Sequence, residues 1–228
     1  AINFALGVLV LLRDRKNPSN QSFTAVAVSI TLWVFTRALF GLAPPGVPLE
    51  ILAKFLFITS GLLPLFLIPL VISLGDSRRR LPLLSGLFIM VPWLAVVILA
   101  AFTDHIVSAV TTDTRGERIV VYGEGFYYFA VYMFTYLLTG VYLLLRRYVA
   151  ASGVVKAQLR YILAGTSISI LIGITTNLIL PLLGVTSYAW IGPVGTIALV
   201  AFVSIAMTRH RLWNFRLVAT EIFVFFLL

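Results

Sequence analysis

The chain has 228 residues, of which 61% are hydrophobic and 11% are charged, and its mean hydropathy is +1.06. A soluble domain of this size is not expected to be so apolar, so the composition indicates a polytopic membrane protein. The absence of cysteine excludes disulfides and thiolate metal sites. The formal net charge of +9 is explained by basic residues that flank membrane spans, and we therefore expect no nucleic-acid partner.

The apolar segments predict a bundle of membrane-spanning helices. A helix needs about 20 apolar residues to cross the hydrocarbon core, and it satisfies its own backbone hydrogen bonds there. Residues 1–12 are apolar but too short to span, so we interpret them as the end of a truncated first helix. Six further spans are predicted at residues 23–42, 51–74, 81–102, 126–145, 161–183 and 189–207, and residues 218–228 begin an eighth.

The longest polar segment, residues 103–125, predicts a small β-hairpin on the membrane surface. Two β-branched runs, HIVSAV and ERIVVY, flank the turn sequence TTDTRG. The predicted fold class is therefore all-α: a polytopic membrane bundle of seven transmembrane helices, the start of an eighth, and an extracytoplasmic β-hairpin.

The basic residues predict the orientation of these spans. Of the 17 lysines and arginines, 13 fall in or beside the loops on one side of the membrane. Because cytoplasmic loops carry an excess of basic residues, that side is predicted to be the cytoplasm. An odd number of crossings then precedes Thr208, and the hairpin lies outside. The predicted cytoplasmic loops are residues 13–20, 75–80, 146–160 and 208–215.

Arg37 lies inside the second predicted span, in the third nearest the outer surface. An arginine at the centre of a membrane helix costs roughly 2.5–3.5 kcal/mol on insertion scales, so it needs a partner or water. Trp33 lies one turn away on the same face, and Glu50 is the expected counter-charge for Arg37 or for Lys54. One interpretation is an outward-facing site for an anionic or amphipathic ligand. The alternative is that Arg37 reaches the outer headgroups or closes a structural ion pair.

Polar residues also recur at helical spacing on the fifth and sixth predicted spans. Tyr128, Tyr132 and Tyr136 are four residues apart, and their hydroxyls need partners either in core packing or in a ligand. The small residues before Asn177 favour a close helix–helix contact, and Asn177 is a candidate for lining a site near Arg37. The ligand-binding candidates are Trp33, Arg37, Glu50, Lys54, Tyr128, Tyr132 and Asn177.

Several kinds of chemistry are excluded by the sequence. The seventh predicted span has no lysine for a Schiff base, and His105 and His210 are predicted on opposite sides of the membrane, where they cannot share a metal. There is no phosphate-binding glycine loop and no nucleophile–base pair at a recognisable spacing. We therefore expect no catalytic site and no metal in this chain.

Four segments carry a resemblance to a known family. They are LLRDRKNPSNQSFTAVAVSITLWVF near the start, YLLTGVYLLLRRYVAASGVVKAQLRYILAG across the fifth and sixth spans, TNLILPLLGV, and GPVGTIALVAFVSIAMTRHRLWNF. Together they resemble the N-terminal seven-helix sensor region of bacterial histidine kinases. The family usually closes with a segment like RYRLFDI, from which RHRLWNF departs modestly. Arg37 matches no functional residue of the family, so the resemblance implies no ligand site.

The resemblance implies a sensor module in the cytoplasmic (inner) membrane of a bacterium, within a two-component system. Residues 1–215 would form the seven-helix domain, and residues 216–228 would lead to an output region outside this chain. A kinase there would bind ATP, dimerise and phosphorylate a response regulator, whereas this chain would hold no cofactor and would sense an unknown small ligand or the bilayer. The predicted signal-relay residues are Arg209, His210, Arg211 and Trp213.

Three other functions remain open from the sequence alone, one of which is a receptor that acts through partner proteins alone. The output region of such proteins is sometimes a diguanylate cyclase, which would make this chain its input module. The chain is also compatible with a transporter or channel subunit, although paired broken helices and midplane polar sites, which are typical of transporters, are not evident.

Overall fold

The computed structural model describes residues 2–74, 82–112, 116, 118–185, 187–196, 199 and 202. Its helices before the hairpin are α1 (Ile2–Arg13), α2 (Pro18–Leu42), α3 (Leu49–Ser73) and α4 (Leu83–Phe102). The hairpin strands are β1 (Val107–Thr112) and β2 (Arg118–Tyr122). After them come α5 (Gly125–Ala150), α6 (Gly153–Ile174), the π-helix Thr175–Ile179, the short α7 (Leu180–Leu182) and a helical segment at 191–196, here α8.

Five helical segments are long and apolar enough to cross a membrane, namely α2, α3, α4, α5 and the continuous run Gly153–Leu182. They correspond to the second to sixth predicted spans. α4 in particular exposes large apolar side chains such as Leu84, Phe88 and Val91, as a lipid-facing helix does. The predicted loops 75–80 and 208–215, the relay residues Arg209, His210, Arg211 and Trp213, and the run 218–228 lie outside the described residues.

The start of α2 differs from the sequence-based prediction. α2 begins at Pro18 rather than at residue 23, because the Asn17 side chain accepts a hydrogen bond of 2.9 Å from the Ser19 N–H and because proline fits the first turn of a helix. The basic connector 146–160, which the sequence predicts to be helical over part of its length, is helical except at Ala151 and Ser152, since α5 continues to Ala150 and α6 starts at Gly153.

The predicted hairpin is confirmed. β1 and β2 pair antiparallel, with Val110 opposite Val120 and Thr111 opposite Ile119. The Arg118 guanidinium donates hydrogen bonds to the carbonyls of Phe40 and Ala43, at the end of α2. This contact fixes β2 to the end of the bundle where α2 finishes, which is referred to below as the hairpin end.

The hairpin is held to α3 by charge and to itself by close backbone contact. Lys54 Nζ lies 2.8 Å from Asp104 Oδ1, in the segment that leads into β1. A Cβ atom at Gly123 would lie only 2.3 Å from the carbonyl oxygen of His105, so glycine is needed where β2 leaves the sheet. The Gly125 N–H donates a hydrogen bond of 2.8 Å to that same carbonyl, which sets the start of α5 against the base of the hairpin.

Candidate functional site

A cavity of about 130 Å³ lies between the helices of the bundle. Its wall is formed by α2, α3, α5, α6 with its π-helix, and α8, and Val120 and Tyr122 of β2 line it at the hairpin end. The volume is about ten times the smallest space that holds one water molecule. Most of the lining side chains are apolar, so the cavity offers room for an apolar group more than for a hydrated ion.

Arg37 brings a positive charge to this wall, on the part of α2 nearest the hairpin. Its guanidinium carbon lies 5.8 Å from the centre of the Phe40 ring, which is a cation–π distance. Within the described part of the chain the ion pair is Lys54–Asp104, and no carboxylate pairs with Arg37. Among these residues, the Phe40 ring is therefore the observed partner of its positive charge.

An aromatic cluster covers the hairpin end of the cavity. The Tyr122 ring stacks on Phe126 at 4.2 Å between centroids, and Phe57 meets both Tyr122 and Phe129 edge-on at 6.0 and 4.9 Å. Burial raises the pKa of the Tyr122 phenol, and the positive charge of Arg37 acts in the opposite direction. Tyr122 is therefore a neutral hydroxyl at physiological pH, close to the Arg37 charge.

The opposite wall is formed by α6, the π-helix and α8. The Ser169 hydroxyl donates to the Gly195 carbonyl at 2.6 Å and accepts from the Leu199 N–H at 3.1 Å, which joins α6 to the α8 region. A Cβ at Gly192 would lie 2.0 Å from Asn177 Nδ2, so α8 packs directly on Asn177. Gly173 is different, because a Cβ there would meet nothing within 4 Å.

Three of the seven predicted ligand-binding residues, Trp33, Arg37 and Asn177, line the cavity. They come from two helices that are far apart in sequence, and the bundle brings them to one space. Their role in binding stays a prediction. The Asn177 amide donates hydrogen bonds to Gly173 O at 3.2 Å and to Thr176 Oγ1 at 2.9 Å, so part of its capacity is used within its own helix.

The other two charged candidates lie away from the cavity. Lys54 pairs with Asp104 and not with Glu50, which is exposed, so the expected counter-charge was wrong for Lys54. The reason is geometric: the segment that follows α4 returns to the start of α3 and places Asp104 within 2.8 Å of Lys54. The ion pair lowers the pKa of the Asp104 carboxyl, first through the hydrogen bond from Lys54 and then through its charge.

The tyrosines of α5 donate to backbone carbonyls of α3 and α4. Tyr132 donates to Gly61 O at 2.7 Å, and Tyr128 and Tyr136 donate to Pro92 O and Ile89 O at 3.2 and 2.9 Å. Tyr128 and Tyr132 are not part of the cavity wall. The packing interpretation of these tyrosines therefore accounts for the contacts of all three hydroxyls.

Sequence reasoning missed Tyr122, Phe57 and Gly173 as cavity-lining residues. Tyr122 was recognised only as part of a strand, since the way a hairpin folds back over a bundle is not encoded in its own alternation of side chains. The signal for Gly173 was its place in a row of small residues, which was interpreted as a helix contact. The structure leaves it facing open space instead.

These features define a class: a multi-pass membrane protein whose helices enclose an apolar cavity with one arginine, covered by a β-hairpin. A family model described as the N-terminal 7TM region of histidine kinase matches residues 1–216, and the chain belongs to that family. The resemblance found in the sequence is thereby confirmed. No curated protein and no solved structure matches the chain.

Proposed function

We propose that this chain is the signal-sensing input module of a two-component histidine kinase, which relays an extracytoplasmic or membrane signal to a kinase in the cytoplasm. The observation that carries the proposal is the family match over residues 1–216, which covers nearly the whole chain. The cavity supports it, since an input module needs a place where a stimulus can alter helix packing.

The proposed topology has seven spans in a bacterial inner membrane. α2 to α6 supply five of them, and α1 and residues 189–207 would supply the first and the last. The distribution of lysine and arginine supports an extracytoplasmic hairpin. Residues 1–215 would then form the sensor domain, and residues 216–228 would start a further helix toward the output region.

The proposed mechanism uses the cavity as a switch between two helix packings. A stimulus can shift such an equilibrium only if it interacts differently with the two states. The cavity touches α2, α3, α5, α6 and α8, so a change in its occupancy alters the contacts of all five. The change would pass along α8 and the segment 208–215 to a dimeric kinase, which uses ATP and phosphorylates a response regulator.

The proposal is tested on the full-length parent protein in membrane vesicles, by measuring autophosphorylation with ATP. The key variant is Gly173→Leu, which fills the cavity from a position with free space around it. The matched control is Gly86→Leu on α4, where a Cβ also meets nothing within 4 Å but which does not line the cavity. We expect Gly173→Leu alone to change the basal phosphorylation level. An unphosphorylated parent, or equal levels in all three proteins, contradicts the proposal.

A further inference from the structure

We propose that the cavity binds a single-chain amphipathic carboxylate, with its headgroup on the Arg37 guanidinium and its apolar chain in the space lined by α2, α3, α5 and α6. The inference deepens the proposed sensory role and rests on it for its biological meaning. Binding itself is measured without an output domain, so the two proposals can fail separately.

The charge of the cavity lining indicates that the headgroup of the ligand is an anion. Arg37 is the cationic residue of the cavity wall, and no acidic side chain lines the wall among the described residues. A planar guanidinium with five N–H donors matches the two oxygens of a carboxylate. The Arg37 guanidinium carbon lies 5.8 Å from the centre of the Phe40 ring, and no carboxylate pairs with Arg37 in the described part of the chain. An anionic headgroup would supply the partner that the protein itself does not.

The other residues of the cavity lining indicate that the rest of the ligand is an apolar chain. Along α2 the cavity wall extends from Arg37 through Trp33 and Ile30 to Val26, which is about 16 Å along a helix axis. From α3 and α5, Leu63 and Leu137 face the same space. The cavity is therefore elongated and apolar along the length of α2, and Arg37 lies at its hairpin end.

The shape of the cavity favours one chain over a whole phospholipid. A single apolar chain can extend from the Arg37 end toward Val26 along the elongated space, whereas a phospholipid would have to place two acyl chains there. Tyr122 lines the cavity at the same end as Arg37, and its phenol is a second, neutral donor for the headgroup. A metal cation is disfavoured by the Arg37 charge.

The binding test uses the purified chain in nanodiscs of uncharged lipid, with empty nanodiscs as the blank for partitioning. Decanoate is titrated from the aqueous phase, and decanol is titrated in parallel as the same chain with a neutral headgroup. In a second arm, oleate is built into the bilayer, which distinguishes a ligand that enters from water from one that enters from lipid. Isothermal titration calorimetry and the change in tryptophan fluorescence report saturable binding.

Two variants test whether the ligand binds within the cavity. Arg37→Gln removes the charge of the cavity wall, and Arg15→Gln at an exposed position is its control for net charge. Gly173→Leu fills the site of the apolar chain, and Gly86→Leu is its control. We expect Arg37→Gln to weaken carboxylate binding at least tenfold, or about 1.4 kcal/mol, because a charge-assisted hydrogen bond is lost. Gly173→Leu should abolish saturable binding, and both controls should bind as the wild type does.

Saturable binding of the carboxylate in either arm, weakened in Arg37→Gln and abolished in Gly173→Leu, supports the proposal and identifies the source of the ligand. The proposal is overturned if neither carboxylate binds, if decanol binds as tightly as decanoate, or if either cavity variant binds normally. The decanol comparison needs no variant, so it decides the headgroup even if Arg37→Gln does not fold. If decanoate binds but the full-length parent shows no change in autophosphorylation, the sensory proposal fails while the binding site stands.

Discussion

The Tyr132 hydroxyl donates a hydrogen bond of 2.7 Å to the carbonyl oxygen of Gly61, three residues before Pro64 in α3. Tyr136 makes the same kind of contact with Ile89, three residues before Pro92 in α4. Each proline removes the N–H that would bond the carbonyl four residues before it, whereas Gly61 and Ile89 lie three residues before their prolines. The tyrosines of α5 therefore tie it to the proline-containing turns of both neighbouring helices, but they do not replace the missing proline donors.

The first prediction concerns this hydrogen bond. Tyr132→Phe should lower the free energy of unfolding by about 1 kcal/mol, because a buried hydrogen bond between α5 and α3 is lost while the ring packing is kept. Tyr128→Phe should have a smaller effect, since Tyr128 is exposed and its bond is longer, at 3.2 Å. Unfolding in detergent micelles by added denaturant measures both, with the exposed Tyr127→Phe as the control.

The same variants bear on the sequence-based assignment of these tyrosines to a ligand site. Decanoate affinity should be equal in Tyr132→Phe and the wild type, since Tyr132 does not line the cavity. A Tyr132→Phe protein with unchanged stability but weakened binding would show instead that its hydroxyl belongs to the site.

The second prediction concerns the Lys54–Asp104 ion pair, which ties the segment before β1 to α3. The pKa of Asp104 is lowered by the hydrogen bond and the charge of Lys54, so it is lower in the folded than in the unfolded chain. The ionised carboxylate therefore stabilises the fold above the unfolded pKa of about 3.9, and this stabilisation is lost as the pH falls through the folded pKa.

Thermal unfolding of Asp104→Asn and the wild type between neutral and acidic pH measures this effect. The wild type should unfold at the higher temperature at neutral pH, and the gap should close in acid. Lys54→Met should reproduce the gap, and the double variant should add little to either single change. A gap that stays constant with pH would indicate that Asp104 acts other than through its charge.

The third prediction concerns the close contact at the base of the hairpin. A Cβ at Gly123 would lie 2.3 Å from the His105 carbonyl oxygen, and a backbone atom cannot move aside as a flexible side chain can. Gly123→Ala should destabilise the hairpin by about 1–3 kcal/mol through overpacking. Trypsin should then cleave faster after Arg118, whose contacts with α2 depend on the position of the strand.

Gly86→Ala provides the matched control for Gly123→Ala. It adds the same methyl group within α4, where nothing lies within 4 Å, and a helical alanine is expected to be about 0.5–1 kcal/mol more favourable than glycine. Equal rates of tryptic cleavage in the two variants would contradict the packing argument at Gly123.

The fourth prediction concerns the proposed orientation. The chain has no cysteine, so single cysteines can be introduced at Thr112 in β1 and at Arg15 between α1 and α2, both of which are exposed. In intact cells a membrane-impermeant maleimide should label Thr112→Cys at once and Arg15→Cys only after permeabilisation. The reverse pattern would invert the topology and place the hairpin in the cytoplasm.

Local features of the sequence were enough to predict the helices and the hairpin. Apolar length predicted the five spans from α2 to α6, and the β-branched runs around TTDTRG predicted β1 and β2. The start of α2 was placed too late because apolar length ignores the cap: Asn17 and Pro18 begin the helix within a polar stretch.

The sequence by itself determined that the chain is a membrane bundle of one family, since apolar length, turn residues and segment patterns are properties of neighbouring positions. Only the tertiary structure decided that Arg37, Tyr122 and Gly173 share one cavity and that Lys54 meets Asp104. Membrane-spanning helices are apolar on most of their faces, so their sequences say little about which faces meet. Their contacts depend on packing, proline turns and the fold of the hairpin over the bundle, which join residues far apart in the chain.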